Sequence, residues 1–182
     1  MRVGRIVVFV KGLLLVLLAG TSTDGWAQNL SWESSGFRFG ANPSGPVHHF
    51  RQAEGFVNWN LPWDWNLEPR WRLQSRLDFA LGWLGGPGDD AVIASLGPSL
   101  IFKREGLPLS FEGGVSPTLI SRQDFTNRDF GVPFQFTSHI GLNLDVWSRF
   151  RVGYRFQHMS DAGLSTHNPG LNLHMLQLSY WF

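Results

Sequence analysis

The sequence predicts an all-β protein, an eight-stranded antiparallel transmembrane up-and-down β-barrel, and three observations carry that expectation. Segments of about ten residues alternate apolar and polar side chains, the pattern of a wall with lipid outside and a polar lumen. Aromatic content is high, with nine Trp and 15 Phe in 182 residues, and such rings settle at water–lipid interfaces. Connections between segments are short and long by turns, as in barrels with tight periplasmic turns and longer outer loops. A soluble lipocalin-like barrel or sandwich also alternates, so one strand decides nothing; repetition along the chain favours the membrane form.

The first residues stand apart from the fold. Arg2 and Arg5 precede an apolar run ending near Ala19, and Gly25-Trp26-Ala27 is a small-x-small cleavage site. This is the layout of a secretory signal peptide over residues 1–27. Lys11 and the short apolar core do not suit a spanning helix, which needs roughly 20 apolar residues. The barrel is expected over residues 28–182.

The first segment, near Ser35–Asn42, sets Phe37 and Phe39 against Arg38. The second, near Arg51–Leu61, sets Val57, Trp59 and Leu61 against Gln52, Glu54, Asn58 and Asn60. In the third, Trp71, Leu73, Leu77, Phe79, Leu81 and Trp83 share one face, broken by Ser75. The fourth, near Ala91–Lys103, carries Val92, Ala94, Leu96, Leu100 and Phe102; the fifth, near Leu107–Leu119, carries Leu109, Phe111 and Val115. The sixth is the cleanest: Phe134, Phe136, Ile140, Leu142, Leu144 and Val146 on one face, interrupted only by Ser138. The seventh runs Arg149–Ser160 and the eighth Leu171–Phe182, whose Leu176, Leu178, Tyr180 and Phe182 alternate up to the final residue. That ending resembles the C-terminal signature of outer-membrane barrels.

With the N-terminus in the periplasm, the short turns at Arg104–Gly106 and Trp147–Ser148 fall inside. Gly85–Asp90, Ser121–Gly131 and Asp161–Gly170 then form outer loops. Trp59, Trp63, Trp65, Trp71, Trp147 and Trp181 gather at the periplasmic end. Inward Arg70, Arg72, Arg76, Asp78, Glu112, Arg151 and Arg155 are expected to form a charge-paired plug, because eight strands leave room only for side chains.

Composition excludes several classes. A net charge of +1 and no basic cluster do not suit nucleic acid. The absence of cysteine excludes disulfides and a lipoprotein anchor. His48-His49 has no Cys or well-spaced acid beside it, so no metal site is expected. Gly85–Asp90, "GGPGDD", lacks the Lys and Ser/Thr of a phosphate loop and reads as a turn. His167, beside Asn168-Pro169-Gly170, sits in a turn. No cofactor is implied.

The chemistry concentrates in "YRFQHMSDAG". Alternation places Tyr154, Phe156, His158 and Ser160 on the lipid side of the seventh strand, with His158 and Ser160 at its outer end. A serine hydroxyl needs a base to take its proton, and a third group usually orients that base. Two residues on one strand stand about 7 Å apart on one face, within side-chain reach. Asn172 on the returning strand can sit across from them. His-x-Ser alone is a weak pattern, and two interfacial polar residues would produce it as well. His174 shares the face of Asn172 and is read as interfacial packing.

"FQHMSDAG" followed by "NPGLN" resembles the PagL-type lipid A 3-O-deacylases, outer-membrane barrel enzymes of Gram-negative bacteria. The specific part of the resemblance spans about Phe156–Asn172. It implies His158 as base, Ser160 as nucleophile and hydrolysis of the 3-position ester of lipid A in the outer membrane. It also implies an oxyanion hole from the amides of Asp161, Ala162 and Gly163. Two positions depart from the family pattern: Asn172 stands where an acid is usual, and Asp161 where Asn is common. Asparagine can accept from imidazole but cannot neutralise its cation. Asp161 turns inward if the strand continues that far. Arg122 and Arg128 in the third outer loop are candidates to meet lipid A phosphates. The expected partners are lipopolysaccharide and the outer membrane, with a homodimer left open. The competing readings are a non-catalytic structural or lipopolysaccharide-binding barrel and an adhesin, though the outer loops look short for adhesion.

Overall fold

The computed structural model describes residues 30–43, 49–67, 69–126, 128–166 and 169–182. The leader expected at 1–27, together with His48, His167 and Asn168, lies outside them. Among the described residues ten strands follow in order: β1 (Ser31–Ala41), β2 (Arg51–Leu67), β3 (Trp71–Gly85), β4 (Asp90–Arg104), β5 (Leu109–Ile120), β6 (Asp124–Phe125), β7 (Arg128–Asp129), β8 (Phe134–Trp147), β9 (Phe150–Ser160) and β10 (Leu171–Trp181). Eight of them close into a barrel, in the order β1-β10-β9-β8-β5-β4-β3-β2. Every pairing is antiparallel, including β1 with both β2 and β10. The eight expected segments are the eight barrel strands. The β6–β7 hairpin was not expected, because two-residue strands carry no readable alternation.

The barrel is inside-out relative to a soluble domain. Phe37 is 75% exposed and Ile140 67% on the outer wall, while Arg38, Glu54 and Glu112 are buried in the lumen. Both interruptions of the apolar faces have local causes. β2 carries a register shift between Asn60 and Asp64, and there Ser75 Oγ donates to the Trp63 carbonyl at 2.7 Å. The bulge thus satisfies a hydroxyl that would otherwise face hydrocarbon without a partner. Ser138 belongs to the site described below.

Charges fill the lumen in a bonded network. Arg76 reaches Glu112 at 2.8 Å and Asp78 at 2.6 Å, Arg155 reaches Glu112 at 2.8 Å, and Arg38 pairs with Glu54. Asn143 donates to Glu112 at 2.9 Å. Two of the expected plug residues are elsewhere. Arg70 is exposed in the β2–β3 turn with φ 73°, and Arg72 pairs with Asp64 at the rim. The strand begins one residue after Arg70, so alternation cannot be extended to it.

At the end where β1 leads to β2, β3 to β4, β5 to β8 and β9 to β10, the lumen is apolar rather than polar. Phe50, Leu84, Ile93, Ile120, Phe125, Phe130, Met159, Leu171, Leu173 and Met175 form one buried cluster. Phe50, Phe125 and Phe130 meet edge to face, with ring centroids 5.1–5.8 Å apart. Aromatics also collect at the opposite end: Trp71 stacks on Phe102 at 4.5 Å, and Trp32 lies 5.1 Å from Trp59. Trp181 is at that end too, but its ring lies 3.9 Å from inward-facing Arg151 rather than on the lipid belt.

Candidate active site

β8, β9 and β10 are neighbours in the barrel, and their ladder brings Ser138, His158 and Asn172 into one row. All three point to the outer wall, because their strand neighbours Thr137, Gln157, Met159, Leu171 and Leu173 are buried inside. Beneath them, Met159, Leu171 and Leu173 pack into the apolar cluster. A close-packed inner face holds the outer face still, so the row is carried by rigid strands rather than by a loop.

His158 Nδ1 lies 2.7 Å from Asn172 Oδ1. A carboxamide oxygen only accepts, so Nδ1 carries the proton and Nε2 holds a bare lone pair. That is the tautomer a general base requires. Ser138 Oγ donates to the His158 carbonyl at 3.4 Å, which accounts for the one polar break on the outer face of β8.

Gly170 fixes the other edge of the imidazole. Its φ is +58°, and a Cβ there would stand 2.8 Å from His158 Cε1 and 3.5 Å from Nε2. The ring therefore lies against bare backbone at residue 170, one ladder step beyond the Leu171–Met159 pair and level with Ser160. Ser160 ends β9 on the same face as His158. Among the described residues no hydrogen bond joins the Ser160 hydroxyl to the imidazole. In resting hydrolases such bonds are often long and tighten with substrate.

After Ser160 the chain makes a tight turn. Leu164 N–H donates to the Asp161 carbonyl at 3.1 Å, and the intervening Ala162 and Gly163 have φ of 55° and 84°. Two consecutive positive φ values are those of a type I′ turn. Alanine in this region is strained by about 1–2 kcal/mol, and Asp161 holds it there. One carboxylate oxygen accepts from Gly163 N–H at 2.8 Å; the other accepts from Ser165 N–H at 2.8 Å and from the Ser165 hydroxyl. Burial alone would raise the Asp161 pKa, but hydrogen bonds from the Ser165 hydroxyl and the Gly163, Ser165 and Leu164 amides hold it below the ordinary value. Asp161 is 0% exposed; β9 ends at Ser160, so the turn rather than strand alternation turns it away from water. Of the three amides expected at an oxyanion hole, that of Gly163 is engaged by this carboxylate. That of Ala162 has no acceptor among the described residues.

The two loop arginines have partners of their own. Arg122 Nη1 donates to Asp89 Oδ1 at 2.7 Å, and Arg128 lies over the rings of Phe50 and Phe130 at 5.7 and 5.9 Å. No group of three or more His, Cys, Asp or Glu able to hold a metal occurs among the described residues. Gly170 and Ser138 were not foreseen as parts of the site. Gly170 gave only a turn signal and Ser138 only a break in alternation.

A family model described as "Lipid A 3-O-deacylase (PagL)" matches residues 51–181. The lipid A deacylase PagL of Bordetella bronchiseptica is 38% identical over 71 residues, which is 39% of this chain and 40% of that protein. The chain thus matches well under half the length of that relative. Among solved structures, the outer membrane enzyme PagL superposes with a TM-score of 0.68 at 20% identity, covering 81% of this chain and 97% of that one. Neisserial surface protein A superposes with a TM-score of 0.53 at 13% identity, covering 84% of this chain and 99% of that one. At such identities the superpositions speak for the barrel alone; the family match, which takes in all of β2 to β10, shows that this chain belongs to the PagL family of lipid A 3-O-deacylases.

Proposed function

We propose that this chain is an outer-membrane esterase that hydrolyses the acyl ester at the 3-position of lipid A, with Ser160 as nucleophile, His158 as base and Asn172 as the group that orients the base. The observation that carries this reading is the 2.7 Å contact from His158 Nδ1 to Asn172 Oδ1 on the lipid-facing wall, beside Ser160. A substrate that is itself a lipid presents its ester at that wall and never enters the plugged lumen.

Ser160 Oγ attacks the ester carbonyl as its proton passes to His158 Nε2. The Ala162 amide is assigned to the developing oxyanion, having no competing acceptor among the described residues. The imidazolium then returns its proton to the sugar oxygen, the C–O bond breaks, and the acyl group remains on Ser160. Water, deprotonated by the same imidazole, releases the fatty acid and restores the hydroxyl. Asn172 holds the imidazole in its tautomer but adds no negative charge, so the imidazolium is less stabilised than beside a carboxylate. Asp161, which would oppose an oxyanion if it faced one, is turned into the loop and bonded there. Arg122 keeps an exposed edge beyond its Asp89 contact and remains the better phosphate candidate of the two arginines.

The test is expression of wild type and Ser160→Ala in a host with ordinary lipopolysaccharide, followed by mass spectrometry of lipid A. Loss of one acyl chain with wild type alone supports the esterase. Identical spectra with both proteins folded in the outer membrane would support the non-catalytic barrel.

A further inference from the structure

The opposite end of the same wall holds an arginine that the ester chemistry does not use. Phe150 and Ser160 are the two ends of β9. The steps between them, at about 3.3 Å each and a tilt of about 40°, span about 25 Å along the membrane normal, the height of an apolar band. Phe150 and the turn before it therefore lie at the inner interface when Ser160 lies at the outer one. Parity along β9 would turn Arg149 toward the lumen, but the strand begins at Phe150 and the turn leaves Arg149 exposed. Its Nη1 donates to the Tyr180 hydroxyl at 3.0 Å, and the guanidinium lies 5.8 Å from the Tyr180 ring centroid. Tyr180 pairs with Phe150 across the ladder and faces lipid with it. The Tyr180 ring meets Phe150 at 5.4 Å and Phe182 at 5.8 Å, both edge-on.

This spot is rich in donors and holds no acceptor for them. A guanidinium carries several N–H donors, and Tyr180 takes only one. Having accepted from Arg149, the Tyr180 hydroxyl keeps its own proton to give, and it donates to no group among the described residues. No carboxylate pairs with Arg149 among the described residues; Asp145, at the same end of β8, is taken by Arg151 at 2.5 Å. A cation and a hydroxyl offered at one place suit an anion with several acceptor oxygens. Trp147, Phe150 and Phe182 are exposed beside it, and Trp147 lies 6.2 Å from Phe150, so the surroundings are an aromatic belt at headgroup depth.

We propose that Arg149 and Tyr180 bind the headgroup phosphate of an anionic phospholipid in the inner leaflet, at the end of the barrel away from Ser160. The remaining guanidinium N–H groups hold the phosphate oxygens, and the Tyr180 hydroxyl adds a further donor. The neighbouring rings take the glycerol and the first acyl carbons. An anionic headgroup is favoured over a zwitterionic one, because the latter brings a cation of its own beside Arg149. Nothing in this inference depends on the ester chemistry.

The experiment is native mass spectrometry of purified full-length protein in detergent, with equal amounts of phosphatidylglycerol and phosphatidylcholine carrying the same acyl chains. The readout is the ratio of the two singly bound adducts. Wild type is expected to favour phosphatidylglycerol about fivefold, the share of one basic side chain at a membrane surface. In Arg149→Gln the ratio is expected to fall to about one, and Tyr180→Phe, which keeps the ring but removes the hydroxyl, should lower it part of the way. A wild-type ratio of one overturns the proposal, and so does a ratio in folded Arg149→Gln equal to that of wild type. If Arg149→Gln does not fold, an unchanged ratio in Tyr180→Phe overturns it. Excess inorganic phosphate, compared with acetate at equal ionic strength, should leave the wild-type ratio standing; its collapse would assign the site to a free ion and overturn the lipid proposal.

Discussion

Gly170→Ala tests whether the berth of the imidazole is as tight as the geometry states. The added Cβ would lie 2.8 Å from His158 Cε1, well inside the separation that carbon atoms tolerate. Two effects follow and can be separated. The backbone at φ +58° strains alanine by about 1–2 kcal/mol, lowering the barrel's unfolding temperature without touching chemistry. The collision moves the ring, by something approaching 1 Å, away from Ser160 and off the line to Asn172 Oδ1. A displacement of that size costs on the order of 100-fold in turnover. In the proposed mechanism His158 acts as the base and not as a binding contact, so KM should change little. Asparagine tolerates left-handed backbone better than alanine but carries the same Cβ, so Gly170→Asn isolates the collision. The assay is ester hydrolysis in detergent, with folding followed by heat-modifiable migration on gels. Both variants are expected to lose kcat about 100-fold, with KM held. Wild-type kcat in folded Gly170→Asn would refute the claim that the imidazole needs bare backbone at this position.

Other outcomes follow from the same geometry. Asn172→Ala should reduce kcat less than His158→Ala, because a mis-oriented base is still a base; equal activity of wild type, Asn172→Ala and His158→Ala in one assay would remove the triad. Asn172→Asp places on Nδ1 a carboxylate that offsets the charge of the imidazolium, so kcat should rise several-fold; an unchanged kcat would mean that residue 172 does not act on the base. Asp161→Ala removes an acceptor of three hydrogen bonds and should weaken the turn by about 2–3 kcal/mol, seen as faster proteolysis of the 161–170 loop. Because the folded pKa of Asp161 is depressed, its stabilisation is complete above the ordinary carboxylate range and is lost as pH falls through the lowered value; proteolysis of wild type should rise only on strong acidification. Glu112→Gln leaves Arg76 and Arg155 short of a buried anion and should destabilise the barrel by about 3–5 kcal/mol, read from urea titration of heat-modifiability.

Much of the site was legible because strand periodicity is two, and face assignment along a strand follows from counting. Ser160 and His158 were placed on the outer wall by parity with Tyr154 and Phe156, and Asn172 by parity with Leu176 and Leu178. Parity fails where regular strand ends. It put Arg70 in the lumen although that residue lies in a turn, and it left the β6–β7 hairpin unread. Nor does it reveal what two loops bring together. The lumen's outer half was expected to be polar, yet Phe50 arrives from one loop and Phe125 and Phe130 from another, and the three close it with aromatic packing.

The chain alone determined the barrel, its strand count and the outward face of His158 and Ser160, because alternation against lipid is a local property repeated in each strand. Register, and everything that depends on it, was decided only in three dimensions. Which residue of β10 meets His158 is set by pairing across the sheet, and a slip of one position would have turned Asn172 into the lumen. The bare backbone of Gly170 beneath the imidazole, the Asp161 carboxylate bound back into its own turn, and the joining of Arg149 to Tyr180 are contacts between residues distant in sequence or bent by the loop, and no period along the chain encodes them.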